Sequence, residues 1–326
     1  MENQTQAILV ADIGGTNARF ALARPGTTAR PELAGIEQLA TADYASLKDA
    51  AEAYLQQQKS GTRPQRAVFA VASAVTGDAI KITNNPWSFS IARLGADLGL
   101  QLEIINDFTA MACVLPVLVP GDLQAIGDVA PRAAAGGRRC YAVVGPGTGL
   151  GVGGVIVEGG RSVVIQSEGG HVGFAPGTPY EIELLRVLLP RFGRVSAERL
   201  VSGIGMVNLH DAVRAVEGLT AQTLTPAQIG DNAAADPGGA GAKTLQVFAE
   251  LLGAFAGDVA LAFGAWDGVF LPGGVTQKLL PWIAAGGFRR RFEDKGRHAA
   301  ILRAIPTQVI THPQAGLLGA AVQACA

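Results

Sequence analysis

Two short segments carry the residue types that hold phosphate, and a third carries a carboxylate suited to taking a proton. The first is Asp12-Ile13-Gly14-Gly15-Thr16-Asn17. Phosphate needs backbone N–H groups aimed inward with no Cβ in the way, which Gly14 and Gly15 allow, and Thr16 adds a hydroxyl donor. Asp12 would repel phosphate unless a cation stood between them, so it is a candidate outer ligand for Mg2+. The alternative is a hairpin turn that uses Gly and Asp for geometry alone. The second segment, Gly145-Pro146-Gly147-Thr148-Gly149-Leu150-Gly151, can cradle a phosphate in the same way. Gly149, Gly151 and Gly154 also fit the GxGxxG spacing of dinucleotide sites. That spacing has meaning only where a helix follows the turn, and here Val152 to Val157 reads as a strand. An NAD-linked oxidoreductase therefore fails on context, and no P-loop motif is present.

The carboxylate is Asp107, in Ile104-Ile105-Asn106-Asp107-Phe108. A buried strand ends here and a helix begins, the usual place for ligands in open α/β folds. The helix N-terminus favours an ionised carboxylate, while desolvation pushes its pKa up. An Asp that stays charged yet becomes more basic can act as a base toward an alcohol. The alternative is a helix cap, since Asn and Asp are both preferred there. Glu168-Gly-Gly-His171 sets a carboxylate and an imidazole on a glycine turn. Each sugar hydroxyl both donates and accepts, and Glu with His satisfies both roles; a metal site would want a third ligand nearby. Glu198, in Ser-Ala-Glu-Arg, reads in isolation as a solvated helix residue. Asn84, in Thr-Asn-Asn-Pro-Trp, reads as a turn residue or a hydroxyl ligand.

The elements that must position these groups follow from periodicity and punctuation. Strands are expected over 7–11 and 18–23 around the first glycine turn, then a helix over 46–58 and β-rich runs over 66–71 and 79–83. A strand over 102–105 feeds a helix with Phe108, Met111, Ala112 and Leu115 on one face. The second half opens as the first did, with strands over 141–144 and 152–157 around its own glycine turn. This weak internal symmetry suggests a duplicated α/β domain with one hairpin loop from each half facing a shared cleft. Helices are expected over 180–189, 205–216 and 244–263, and a strand over 268–271 ends at Gly273-Gly274. Residues 219–241 read as a surface connection with one short helix, and 314–324 as a closely packed C-terminal helix.

The chain has 326 residues, enough for two domains, and a formal net charge of −1. Nothing marks it as a general binder of nucleic acid or anionic membrane. Arg289, Arg290, Arg291, Lys295 and Arg297 form a basic run broken by Glu293 and Asp294, which reads as a solvated helix face. Cys113, Cys140 and Cys325 are far apart, which suits reduced thiols in a reducing compartment better than a disulfide framework or a zinc site. The first residues show no basic segment followed by an apolar core, so no leader peptide is expected. The uncharged run Cys140 to Val157 is long enough to span a bilayer, but its glycines and β-branched residues describe strand, loop and strand. A soluble protein is expected.

Taken together, DIGGTNARFAL, TNNPWSFSIA, LEIINDFTA, GPGTGLGVGG, EGGHVGFAP, SAERLVSGIG, GVFLPGGV, FEDKGR and PQAGLLGAA resemble the bacterial glucokinase family of the hexokinase/actin-like ATPase superfamily. The likeness runs nearly end to end. It implies duplicated actin-like ATPase domains, ribonuclease H-like, around a cleft. The smaller domain would span 1–110 and be completed by 312–326, and the larger would span 111–311. It also implies transfer of the γ-phosphate of ATP, with Mg2+, to the 6-hydroxyl of glucose by a cytoplasmic homodimer. By the same resemblance Asp107 matches the catalytic base. Asn84, Asn106, Glu168, His171 and Glu198 match sugar-binding residues. Ala11 to Thr16 match the first phosphate loop, Gly147 to Gly149 the second, and Gly273-Gly274 the turn near the adenosine. The chain departs from the family's pattern at Ala11, where Gly is frequent, and at Gly173, where Asp is. It also lacks the cysteine cluster of the related repressor/kinase group. A kinase for another hexose and a sugar sensor without turnover remain as competing expectations.

Overall fold

The computed structural model describes residues 6–58, 63–131 and 137–326. The first five residues of the stretch read for a leader lie outside the described residues. The chain divides into two compact units, one running to Val119 and completed by His312–Ala326, the other Pro120–Thr311.

In the first unit, β1 (Ile8–Ile13) is buried along its length except at Asp12, as in a strand covered on both faces. It pairs antiparallel with β2 (Asn17–Arg24), which pairs antiparallel with the edge strand β3 (Glu32–Ala40). Ser46 caps α1 (Leu47–Gln57) by accepting from Asp49 N–H. Then β4 (Arg66–Val71) pairs parallel with β1. A small hairpin, β5 (Ala79–Lys81) and β6 (Ser88–Ser90), leads into α2 (Ile91–Leu98), which stops at Gly99 in the left-handed conformation. Beyond it β7 (Gln101–Asn106) pairs parallel with β4 and runs directly into α3 (Asp107–Val114). The sheet order is β3-β2-β1-β4-β7.

Alternation along β1 sends Leu9, Ala11 and Ile13 to one face, where Phe20, Phe69, Tyr54 and Leu98 pack. Ile8 and Val10 go to the other face, onto Ala110 and a helix formed by the chain's last residues.

The second unit begins with β8 (Leu123–Ile126), β9 (Arg139–Pro146), β10 (Leu150–Glu158) and β11 (Arg161–Ser167), the last three an antiparallel meander. Four capped or glycine-started helices follow: α4 (Pro179–Phe192), α5 (Gly203–Val216), α6 (Pro226–Ala235) and α7 (Ala240–Phe263). α7 is long and apolar enough to cross a membrane by length and composition, with mean hydropathy 1.5, but 67% of that stretch is buried inside the unit. It is a core helix. β12 (Gly268–Leu271) is fully buried and pairs parallel with β9. After α8 (Gly274–Lys278), α9 (Leu280–Ala284), α10 (Gly287–Glu293) and α11 (Ala299–Arg303), β13 (Thr307–Ile310) pairs parallel with β12. The order is β11-β10-β9-β12-β13-β8, so its first five strands repeat the pattern of the first unit.

The chain ends in α12 (Ala315–Cys325), which returns to the first unit. A methyl group at Gly319 would run into the Ala110 carbonyl of α3, so glycine permits this approach. Because α3 packs under α12, the division falls after Val119 and not after residue 110.

The basic run is not a solvated face throughout. Arg289 and Arg291 are buried on α10: Arg289 donates to Glu293, Ile305 O and Thr307 Oγ1, and Arg291 Nη2 lies 2.8 Å from Glu181 Oε1. Arg290 does lie outward, paired with Glu250. Cys113 and Cys140 are buried, Cys325 is half-buried, and all three are free thiols.

Candidate active site

In the first unit the parallel strands do the positioning. Ile13 stands opposite Val71, and Val71 opposite Asn106, so the glycine turn after β1 and the Asn106-Asp107 pair leave the same edge of the sheet. Two strand spacings put their backbones about 10 Å apart.

The Asn106 side chain is the helix cap. Its Oδ1 accepts from Phe108 N–H at 2.8 Å and Thr109 N–H at 3.3 Å, while its Nδ2 donates to Ser73 O at 3.1 Å. Asp107 is therefore the first residue of α3 and is released from capping. Burial, followed by the charge of Asp12, pushes the Asp107 carboxyl up to about 7, against the lowering effect of the Phe108 N–H that donates to it at 3.0 Å.

Burial also raises the pKa of Asp12, and the Arg19 guanidinium, 3.4 Å from Oδ2, opposes the rise. Among the described residues no three His, Cys, Asp or Glu side chains gather to hold a metal. A cation beside Asp12 would have one protein carboxylate there and would take other ligands from phosphate oxygens and water, which is the habit of Mg2+.

The turn after β1 is held from several sides. Gly14 N–H donates to Asn17 O at 2.9 Å, Thr41 N–H to Thr16 O at 2.9 Å, and Thr41 Oγ1 to Gly15 O at 3.0 Å. A Cβ on Gly15 would stand 3.1 Å from the Asn84 carbonyl, so the 83–84 loop lies directly on the turn. Asn84 is exposed and takes φ of 56°, alone among described non-glycine residues. Its neighbour Asn85, which the sequence did not single out, is buried; Oδ1 accepts from Trp87 N–H, and Nδ2 reaches the Gly14 and Gly15 carbonyls at 3.5 and 3.4 Å. The Asn-Asn-Pro-Trp string was the available signal, but two adjacent asparagines gave no way to tell the buried one from the exposed one. Thr16 is exposed, while the side chains of Ala11 and Ile13 belong to the core and leave only backbone to offer a ligand.

In the second unit the turn between β9 and β10 is closed by Gly147 N–H donating to Gly149 O at 2.8 Å, and Gly203 N–H donates to Gly147 O at 2.7 Å. Thr148 is exposed at its tip. Glu198 is not a solvated helix residue: it sits half-buried on a single turn, Ala197–Arg199, and Oε2 accepts from Leu150 N–H at 2.9 Å. A side chain on Gly149 would collide with this carboxylate, which is a packing reason for glycine there. His171 Nδ1 lies 3.8 Å from Glu198 Oε1. Glu168 is exposed at the head of the Gly169–His171 turn, its carbonyl accepting from His171 N–H at 3.0 Å. Gly273, with φ of 97°, lies against Pro146, so a Cβ there would be 3.5 Å from the Pro146 carbonyl, and Gly274 opens α8. The structure thus gathers Asp12 to Thr16, Asn84, Asn106 and Asp107 in one unit. It gathers Gly147 to Gly149, Glu168, His171, Glu198, Gly273 and Gly274 in the other.

The crystal structure of a glucokinase from an Antarctic psychrotroph is 36% identical and superposes with a TM-score of 0.88 over 98% of this chain and 99% of that one. A glucokinase of the ROK family from Streptomyces griseus, solved with glucose and AMPPNP, shares the fold at 18% identity and a TM-score of 0.61, covering 97% of this chain and 98% of that one. Fold and site together define an α/β sugar kinase. The glucokinase of Stenotrophomonas maltophilia (strain K279a) is 48% identical over 99% of this chain and 96% of its own length, and the family model described as Glucokinase matches residues 9–326. The chain belongs to the glucokinase family.

Proposed function

We propose that the chain transfers the γ-phosphate of ATP to the 6-hydroxyl of glucose, giving glucose 6-phosphate and ADP as the entry step of glycolysis, with Asp107 as the base. The observation that carries this reading is Asp107 itself: a carboxylate relieved of capping by Asn106 and raised to about 7 by burial and Asp12. A base of that strength is half-ionised near neutrality, where general-base catalysis is most efficient.

In this reading Asp107 orients the hydroxyl and takes its proton, while Asn84, Asn106, Glu168, His171 and Glu198 satisfy the other sugar hydroxyls. The backbone of residues 11–16 and 147–149 takes the phosphates, with Gly273-Gly274 beside the adenosine. Bound Mg2+, with Asp12 as an outer ligand, would supply neutralisation of the triphosphate charge. The AMPPNP and glucose carried by the Streptomyces griseus protein support ATP as donor. The repeated strand order of the two sheets supports duplicated ribonuclease H-like domains, actin-like in type; a cleft between them is part of the proposal and comes from the family resemblance alone. Closure of that cleft on the sugar would keep water from competing as acceptor. Action in the cytoplasm as a homodimer completes the proposal.

The test is ADP release in a coupled assay, which should depend on glucose. Asp107→Asn should lower kcat by about 10²–10⁴-fold with a much smaller change in glucose affinity. Retention of more than a tenth of kcat would remove Asp107 from the role of base.

A further inference from the structure

Gly316 is the second residue of α12, a helical position where alanine is the better helix former. The three heavy atoms nearest to where its Cβ would stand all belong to Asp12: Oδ2 at 2.8 Å, Cγ at 3.0 Å and Oδ1 at 3.3 Å. The carboxylate lies across the bare Cα of residue 316, with Arg19 Nη1 3.4 Å from Oδ2. Gly319, one turn on, differs in kind, because its missing side chain would meet the main chain of Ala110. One glycine of α12 makes room for a helix, and the other makes room for a carboxylate.

We propose that Gly316 is a positioning residue for phosphoryl transfer: by lacking a side chain it lets the Asp12 carboxylate rest against the start of α12, beside the glycine turn after β1. This rests on the phosphotransfer reading above. Ordinary contact needs about 3.4 Å or more, so a methyl group at 316 would push the carboxylate, whose side chain is 22% exposed, away from α12 by roughly half an ångström. Displacements of about an ångström can cost on the order of 100-fold in rate.

Four chains decide it: the parent, Gly316→Ala, Asp12→Ala and the double variant, with Gly319→Ala as a control for helix crowding. Asp12→Ala removes all three crowding atoms. Gly316→Ala should lower kcat at least tenfold with ATP and Mg2+, with glucose affinity by calorimetry, without nucleotide, unchanged within twofold. In the Asp12→Ala background it should cost no further activity. Melting of the ligand-free proteins reads the contact without catalysis: Gly316→Ala should lower Tm when Asp12 is present and raise it slightly, as alanine's helix propensity requires, when residue 12 is Ala, whereas Gly319→Ala should lower Tm in both backgrounds. Equal losses from Gly316→Ala in both backgrounds, or full activity of the single variant, would overturn the proposal. A single variant that fails to fold while the double variant folds supports it; failure of both overturns it. Should the parent not phosphorylate glucose, the phosphotransfer reading falls, and the melts still report whether residue 316 acts through Asp12.

Discussion

At the scale of single residues the decisive fact is the division of labour between Asn106 and Asp107. Both residue types cap helices, so the string Asn-Asp was legible as the start of a helix and left open whether Asp107 was cap or base. Hydrogen bonds from Phe108 and Thr109 give the cap to Asn106, and that frees Asp107 for chemistry. The raised pKa has two consequences of definite sign. Catalysis needs the ionised base, so kcat/KM should fall as pH drops through about 7 with a single protonation. Removing the neighbouring charge with Asp12→Asn should move that limb to lower pH, because Asp12 is the second cause of the rise; an unmoved limb in the variant's residual activity would assign the titration to another group. For stability, an acid raised above its ordinary 3.8 contributes fully below that pH, and the contribution is lost as pH rises through about 7. Asp107→Asn should therefore melt above the parent at pH 8, the gap closing toward pH 4.

Elements were legible where a run was long or punctuated. The strands at 66–71 and 268–271 have the expected bounds, because each is an apolar run between turn signals. The edge strand β3 was missed, since its largely exposed residues carry little alternation, and so was the short β13. The basic run on α10 misled for a different reason. Glu181, the partner that makes a buried Arg291 tolerable, stands on α4, 110 residues earlier in sequence. Charge spacing within α10 offers a solvated face, and only the tertiary pairing of α4 with α10 says otherwise. The pair is nearly inaccessible, with side chains 9% and 4% exposed, and Glu181 also accepts from Gly177 N–H at 2.6 Å. Arg291→Met should then cost roughly 3–5 kcal/mol, since it leaves a buried carboxylate without its cation. Urea denaturation should show the loss, and adding Glu181→Leu should recover part of it. A cost under about 1 kcal/mol would mean that Glu181 escapes to water.

Across the whole molecule, the two glycine turns hinted at a repeat that the sheets express more fully. Three antiparallel strands followed by two parallel ones recur in each unit, although the sequences between the turns show little likeness. Strand order is set by which edge remains open after each pairing, which local periodicity does not encode. The chain's path between units has a consequence of its own. The first unit is completed by residues that come last, and Leu317, Ala320, Ala321 and Ala324 cover the face of β1, β2 and β4 that holds Ile8, Val10, Ala21 and Val68. Deleting that helix uncovers both surfaces, a loss on the order of 10 kcal/mol at about 25 cal/mol per Å² of apolar area. That is comparable to the whole stability of a typical domain. A chain ending at Thr311 should thus lose protection of residues 6–119 against protease and hydrogen exchange. Residues 120–311 have their own continuous core and should keep their protection. Unfolding of both regions together would show that the second unit depends on the first, and survival of both would show that α12 contributes far less than its burial implies.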